Sequence, residues 1–161
     1  MFKKVLLAGS ILAVSSSVAL AGTPYIGGSL GVSGFKHQSG VIANLFGGYG
    51  DTLDQSQKIY LGGELNLNLA HYSKFSTMYG LGVSLLPGIM LSKYTMLYGR
   101  AGLDLIDAPH NSNTQNIIFG TQYGLGLQTN VAEKWDVRGE YVYSNARRDG
   151  QFNLGLVYKF N

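Results

Sequence analysis

The chain has 161 residues, with 23 Gly, 11 Tyr, 7 Phe, 13 % charged residues and no Cys. That length suits one domain, and the missing cysteine excludes a disulfide framework, a thiolate metal site and a Cys nucleophile. Mean hydropathy of +0.07 is too low for a helical membrane protein. Of the 12 Lys+Arg, Lys3 and Lys4 lie at the extreme N-terminus; the 10 others nearly balance 9 Asp+Glu, so the electrostatic footprint of a nucleic-acid binder is missing.

Residues 1–21 read as a secretory signal. Lys3 and Lys4 form the positive start, Val5 to Val18 an apolar stretch rich in small residues, and Ala19-Leu20-Ala21 a small-x-small cleavage site. The apolar stretch falls short of the roughly 20 residues of a membrane-spanning helix. Cleavage after Ala21 is expected, leaving 22–161 as the folded unit.

From Gly22 onward the apolar residues follow a period of two rather than a helical period. The predicted strands are Tyr25 to Gly34, Val41 to Gly50, Ile59 to Leu69, Thr77 to Met90, Thr95 to Leu105, Ile117 to Thr129, Trp135 to Ser144 and Phe152 to Phe160. In the third, Ile59, Leu61, Leu65, Leu67 and Leu69 oppose Tyr60, Gly62, Glu64, Asn66 and Asn68. The seventh sets Trp135, Val137, Tyr141 and Tyr143 against Asp136, Arg138, Glu140 and Ser144. The eighth sets Phe152, Leu154, Leu156, Tyr158 and Phe160 against Asn153, Gly155 and Lys159. In the fourth, Leu85-Leu86-Pro87-Gly88 breaks the alternation, and a bulge or strand end is expected because proline cannot donate to a ladder.

Alternation alone does not distinguish a soluble barrel from one turned inside out in lipid. Three features favour lipid. The polar faces carry many glycines (Gly27, Gly62, Gly82, Gly102, Gly126 and Gly155 among them), and an eight-stranded barrel has an interior only just wide enough for side chains. Aromatics gather toward strand ends, as interfacial girdles would: Tyr25, Tyr49, Trp135, Tyr158 and Phe160 at one end, Tyr79, Phe119, Tyr143 and Phe152 at the other. An exported chain without disulfides or an obvious soluble core must also pair every backbone group, which in lipid requires strands that close. The expected fold is all-β: an eight-stranded antiparallel up-and-down transmembrane β-barrel after a cleavable signal peptide.

Seven charged residues fall on the predicted inner face: Glu64, Arg100, Asp104, Asp136, Arg138, Glu140 and Lys159. Buried charges need partners. A hairpin centred in Asn145 to Gln151 sets Asp136 opposite Lys159, and Arg100, Glu64, Arg138 and Glu140 fall near mid-strand within reach of one network. A salt-bridged plug is the expected role, a narrow pore the alternative.

With the N-terminus in the periplasm, Phe35 to Gly40, His71 to Ser76, Ile106 to Asn116 and Asn145 to Gln151 face outward. His37, His71 and His110 fall there without a metal-ligand spacing, and neither a metal site nor a cofactor is expected. His110, Arg147 and Arg148 are candidate contacts for a surface ligand, and the two arginines suit lipopolysaccharide phosphates.

Asn153, Gly155, Tyr158 and Phe160 match the polar-x-Gly-x-x-aromatic-x-aromatic signal of the last strand of bacterial outer-membrane barrels. The chain from Gly22 to Phe160 resembles the small eight-stranded barrels related to outer membrane proteins A and X and to the opacity-type proteins. The resemblance implies handling by the barrel-assembly machinery, a place among outer-membrane lipids and lipopolysaccharide, and a structural, adhesive or host-contact role. Tyr141-Val142-Tyr143-Ser144-Asn145 is also similar to the His-x-Ser-Asn segment of outer-membrane lipid A deacylases. Val142 stands where that family has its histidine, so Ser144 lacks the base a nucleophile needs, and no catalysis is expected.

Overall fold

The computed structural model describes residues 22–35, 38–53, 56–72, 77–108 and 116–160; the segment read as a signal lies outside them. Eight strands follow in chain order: β1 (Thr23–Phe35), β2 (Gln38–Thr52), β3 (Ile59–Tyr72), β4 (Met78–Met90), β5 (Thr95–Ala108), β6 (Asn116–Ala132), β7 (Trp135–Ser144) and β8 (Asp149–Lys159). Each pairs antiparallel with the next, and β8 returns to β1 through Tyr25↔Lys159 to Gly34↔Gly150, closing the barrel. Closure leaves no unpaired sheet edge.

The two faces invert the polarity of a soluble protein. Leu30, Leu45, Leu85, Phe119, Leu125 and Leu154 are exposed on the outside. Glu64, Arg100, Asp104, Arg138, Asn153 and Ser144 are buried on the inside. Strands as long as the 17 residues of β6 exceed the 9–11 residues or so that cross the hydrocarbon. They run on past it and shorten the connection between β5 and β6 to residues 109–115.

Two expectations need correction. No bulge forms at Leu85 to Gly88: β4 continues through Pro87, which pairs with Leu61 of β3. The β4–β5 ladder only omits Leu86 and Pro87 and resumes in the same register, Leu85↔Ala101 before and Gly88↔Tyr98 after. Proline's missing donor is thus accommodated on the β5 side without inserting a residue. The register shifts instead between Asn130 and Ala132, where β6 meets β7. The second correction is Tyr25, which turns inward and is 6 % exposed, because its phenol reaches Glu64. The other girdle aromatics face outward or are half-buried at the rims; Trp135, Tyr158 and Phe160 form an edge-to-face chain with centroids 5.1 and 5.2 Å apart.

Candidate functional site

The barrel axis is occupied by a polar network that begins at the end where β1 starts and β8 finishes. Lys159 of β8 meets Asp136 of β7 at 3.0 Å, but diagonally: the residue opposite Asp136 is Val157, so the register expected from the hairpin is corrected by two residues. Asp136 also accepts from Gln128 at 2.6 Å and from Asn130 at 2.8 Å. The Gln128 side-chain oxygen Oε1 in turn accepts from Arg138 Nε and Nη2, at 3.0 and 2.8 Å.

Glu64 of β3 holds the centre. Its Oε1 accepts from Arg100 Nη2 at 2.5 Å, and its Oε2 from Arg138 Nη1 at 2.5 Å and from the Tyr25 hydroxyl at 3.0 Å. Arg100 continues to Glu140 through Nη2 at 3.0 Å and Nε at 3.3 Å, and to Ser84 at 3.2 Å. Tyr98 donates to the same Glu140 oxygen at 2.7 Å. Charge-assisted bonds of this kind are the strong ones, and a saturated set is what makes buried charge tolerable. Six of the seven inner-face charges, three carboxylates and three cations, therefore form one connected set.

Aromatic rings line the terminal side of that set. The Arg138 guanidinium carbon lies 4.5 Å from the Phe46 ring centroid, 5.3 Å from Tyr98 and 5.4 Å from Tyr25, within cation–π range. Each ring lies across a glycine of the neighbouring strand: a Cβ on Gly126 would come within 2.3 Å of the Tyr98 ring, one on Gly27 within 2.4 Å of Phe46. The inward course of Phe46 and Tyr98 escapes a reading based on apolar residues facing lipid. The signal available is the glycine that register sets beside each ring, Tyr98↔Gly126 and Gly27↔Phe46.

On the far side of Arg100 lies a layer of amides. Asn44 donates to Ser29 at 3.0 Å and to Asn153 at 3.2 Å; Gln122 donates to Asn66 at 3.2 Å and to Ser84 at 3.0 Å. The void among Asn44, Asn66, Asn68, Gln122, Val142 and Gln151 holds about 10 Å3, space for about one water.

Asp104 stands apart from the network. Its Oδ2 accepts from the Ser144 hydroxyl at 2.6 Å, and its Oδ1 has no hydrogen-bond partner among the described residues. Ser144 is fully buried, as is its inward neighbour Val142, so this serine meets a carboxylate inside the barrel, away from the outer, lipid-facing surface. Among the described residues no group of three or more His, Asp or Glu could hold a metal ion.

The surface candidates separate. Arg148 is exposed, whereas Arg147, expected in a solvated loop, is 5 % exposed. Its guanidinium turns into the barrel mouth, reaching Asp149 at 3.2 Å and Gln151 at 3.2 Å. His110 lies outside the described residues. Of the last-strand signal, Asn153 and Gly155 face the lumen, while Tyr158 and Phe160 face outward at the rim.

Residues 5–160 match the family model of the outer membrane protein beta-barrel domain. No curated protein matches the chain. Among solved structures, the attachment invasion locus protein Ail of Yersinia pestis, in complex with the heparin analogue sucrose octasulfate, is similar at a TM-score of 0.63 and 20 % identity, covering 88 % of this chain and 100 % of that one. Neisserial surface protein A is similar at 0.60 and 13 %, with 86 % and 97 % covered. The N-terminal barrel of Pseudomonas aeruginosa OprF is similar at 0.57 and 15 %, with 87 % and 100 % covered.

Proposed function

The chain belongs to the outer membrane protein beta-barrel family, and from that membership we propose that it is a sealed, non-catalytic anchor in the outer membrane. Its work is done by the far-end connections, which a rigid barrel holds at the cell surface. The observation that carries this reading is the filled lumen. A neutral, cross-linked set of six charges crosses the lumen, and the void beside it holds about 10 Å3. A hydrated ion needs far more room, so the narrow-pore alternative is disfavoured. The deacylase alternative is disfavoured because Ser144 bonds Asp104 inside the barrel and has Val142 where a base would stand.

The reading includes export by a signal cleaved after Ala21, recognition of Asn153, Gly155, Tyr158 and Phe160 by the assembly machinery, and outer-membrane lipid and lipopolysaccharide around the barrel. The far-end connections are the place for a surface ligand, with Arg148 as an exposed cation among the described residues. The Ail barrel was solved with sucrose octasulfate, which makes that compound a natural first probe. Single-channel recording on the purified barrel in planar bilayers tests the sealed reading. The expected trace is flat at all holding potentials; reproducible unitary openings would contradict it.

A further inference from the structure

The connection between β7 and β8 is four residues long, 145–148, and it bends inward rather than out. Ser144 pairs with Asp149 at the base of the hairpin. Arg148 takes a left-handed conformation, φ 56°, and stays exposed, while Arg147 beside it points into the mouth.

Contacts from four other points of the barrel hold the turn in place. Asp149, buried, receives Arg147 Nε at 3.2 Å and the hydroxyl of Ser33 on β1. Gln151 accepts from Arg147 Nη2 at 3.2 Å. The Arg147 backbone N–H donates to Ser144 Oγ at 3.3 Å, whose own proton goes to Asp104 on β5. Asn145 N–H donates to the Thr121 carbonyl on β6 at 2.9 Å. Ala146 rests over Gly120, where an added Cβ would come within 2.4 Å of the Ala146 methyl and 2.8 Å of its backbone nitrogen.

From this arrangement we infer that the β7–β8 turn is an inward latch, a second seal in series with the Glu64–Arg100–Arg138–Glu140 network. It rests on the reading of the lumen as closed and adds to it a compartment with two separate closures. The amide-lined space between them is shut from the termini by paired charges on strands. It is shut from the far mouth by an arginine on a turn. The two seals differ mechanically. Strand residues are fixed by ladders on both sides, whereas residues 145–148 have no ladder of their own, so the latch is the closure that can swing outward. Its release would open the amide layer to water and small polar solutes without opening a path through the membrane.

The native chain has no cysteine, so Val142→Cys supplies a single reporter inside the compartment, at a position that lines the void and is 1 % exposed. The probe is a charged, water-soluble methanethiosulfonate reagent applied to the folded barrel in detergent micelles. With the latch intact, modification is expected to be slow relative to the urea-unfolded protein. In the Arg147→Ala/Asp149→Ala background, which removes both charges together, the rate is expected to rise at least tenfold. Gly120→Val, which crowds Ala146 and the Asp104 carboxylate beneath the turn without touching the Arg147–Asp149 pair, is expected to give the same acceleration and carries the test if the double variant does not fold. Rapid modification with the latch intact, or a rate unchanged in the folded latch variants, would overturn the latch. Bilayer recording separates this from the sealed reading: the latch variants are expected to stay non-conducting because the central network remains. Openings by the native protein would overturn the sealed reading itself.

Discussion

Glu64 is the residue on which the lumen depends, because it accepts from Arg100, Arg138 and Tyr25 at once. Glu64→Gln keeps the volume but leaves two buried guanidiniums sharing Glu140 as the remaining mid-barrel anion. Breaking a buried ion pair from one side costs about 3–5 kcal/mol, and urea unfolding of the reconstituted barrel is expected to show a loss of that order. Substituting Arg148 has the opposite sign. A non-glycine residue held at φ 56° carries a penalty of roughly 1 kcal/mol, so Arg148→Gly is expected to raise the unfolding midpoint modestly. A lowered midpoint would show that the exposed side chain contributes more than its backbone strain costs. At this scale the sequence was partly legible. The Asp136–Lys159 partnership is legible from their shared inner face, but its register is not, because the four-residue turn sets Val157 opposite Asp136 and the flexible Lys159 stem reaches across the diagonal. Tyr25 misleads, because an aromatic at a strand end has the same signature whether it turns to the headgroups or to a buried carboxylate. Arg147 misleads for a related reason: which of two adjacent arginines turns inward is decided by the left-handed residue that follows.

At the scale of the strands, the alternation in β3, β7 and β8 translates directly into faces, since a period of two leaves only one choice once one residue is placed. Glycine adds a second layer of information that alternation does not contain. On the inside of β5, a Cβ at Gly102 would sit 2.2 Å from the Val83 carbonyl oxygen, an atom of the neighbouring backbone that cannot move aside. On the outside of β3, a Cβ at Gly63 would meet nothing within 4 Å. Gly102→Val is therefore expected to abolish folding or lower stability severely, and Gly63→Val to leave it unchanged or raise it through better strand propensity. Gel mobility of unheated samples and urea midpoints would compare the pair; equal effects would mean that the two faces are wrongly assigned. Pro87 marks the limit of reading breakers locally. Its lost donor forecasts a bulge, yet the neighbouring strands hold β4 in register through it.

For the molecule as a whole, closure and inverted polarity are two aspects of one requirement. Backbone groups in hydrocarbon must all be paired, so the sheet closes. The charged residues then have only the lumen in which to be buried, and they neutralise one another there. Family membership and the closed eight-stranded order agree on this arrangement. The measurement that bears on it most directly is cell fractionation followed by gel electrophoresis of the protein in detergent, heated and unheated. A closed lipid-facing barrel is expected in the outer-membrane fraction, soluble only with detergent, with a mobility that shifts on boiling as the barrel opens. Recovery from the periplasm without detergent, and a single mobility regardless of heating, would contradict it.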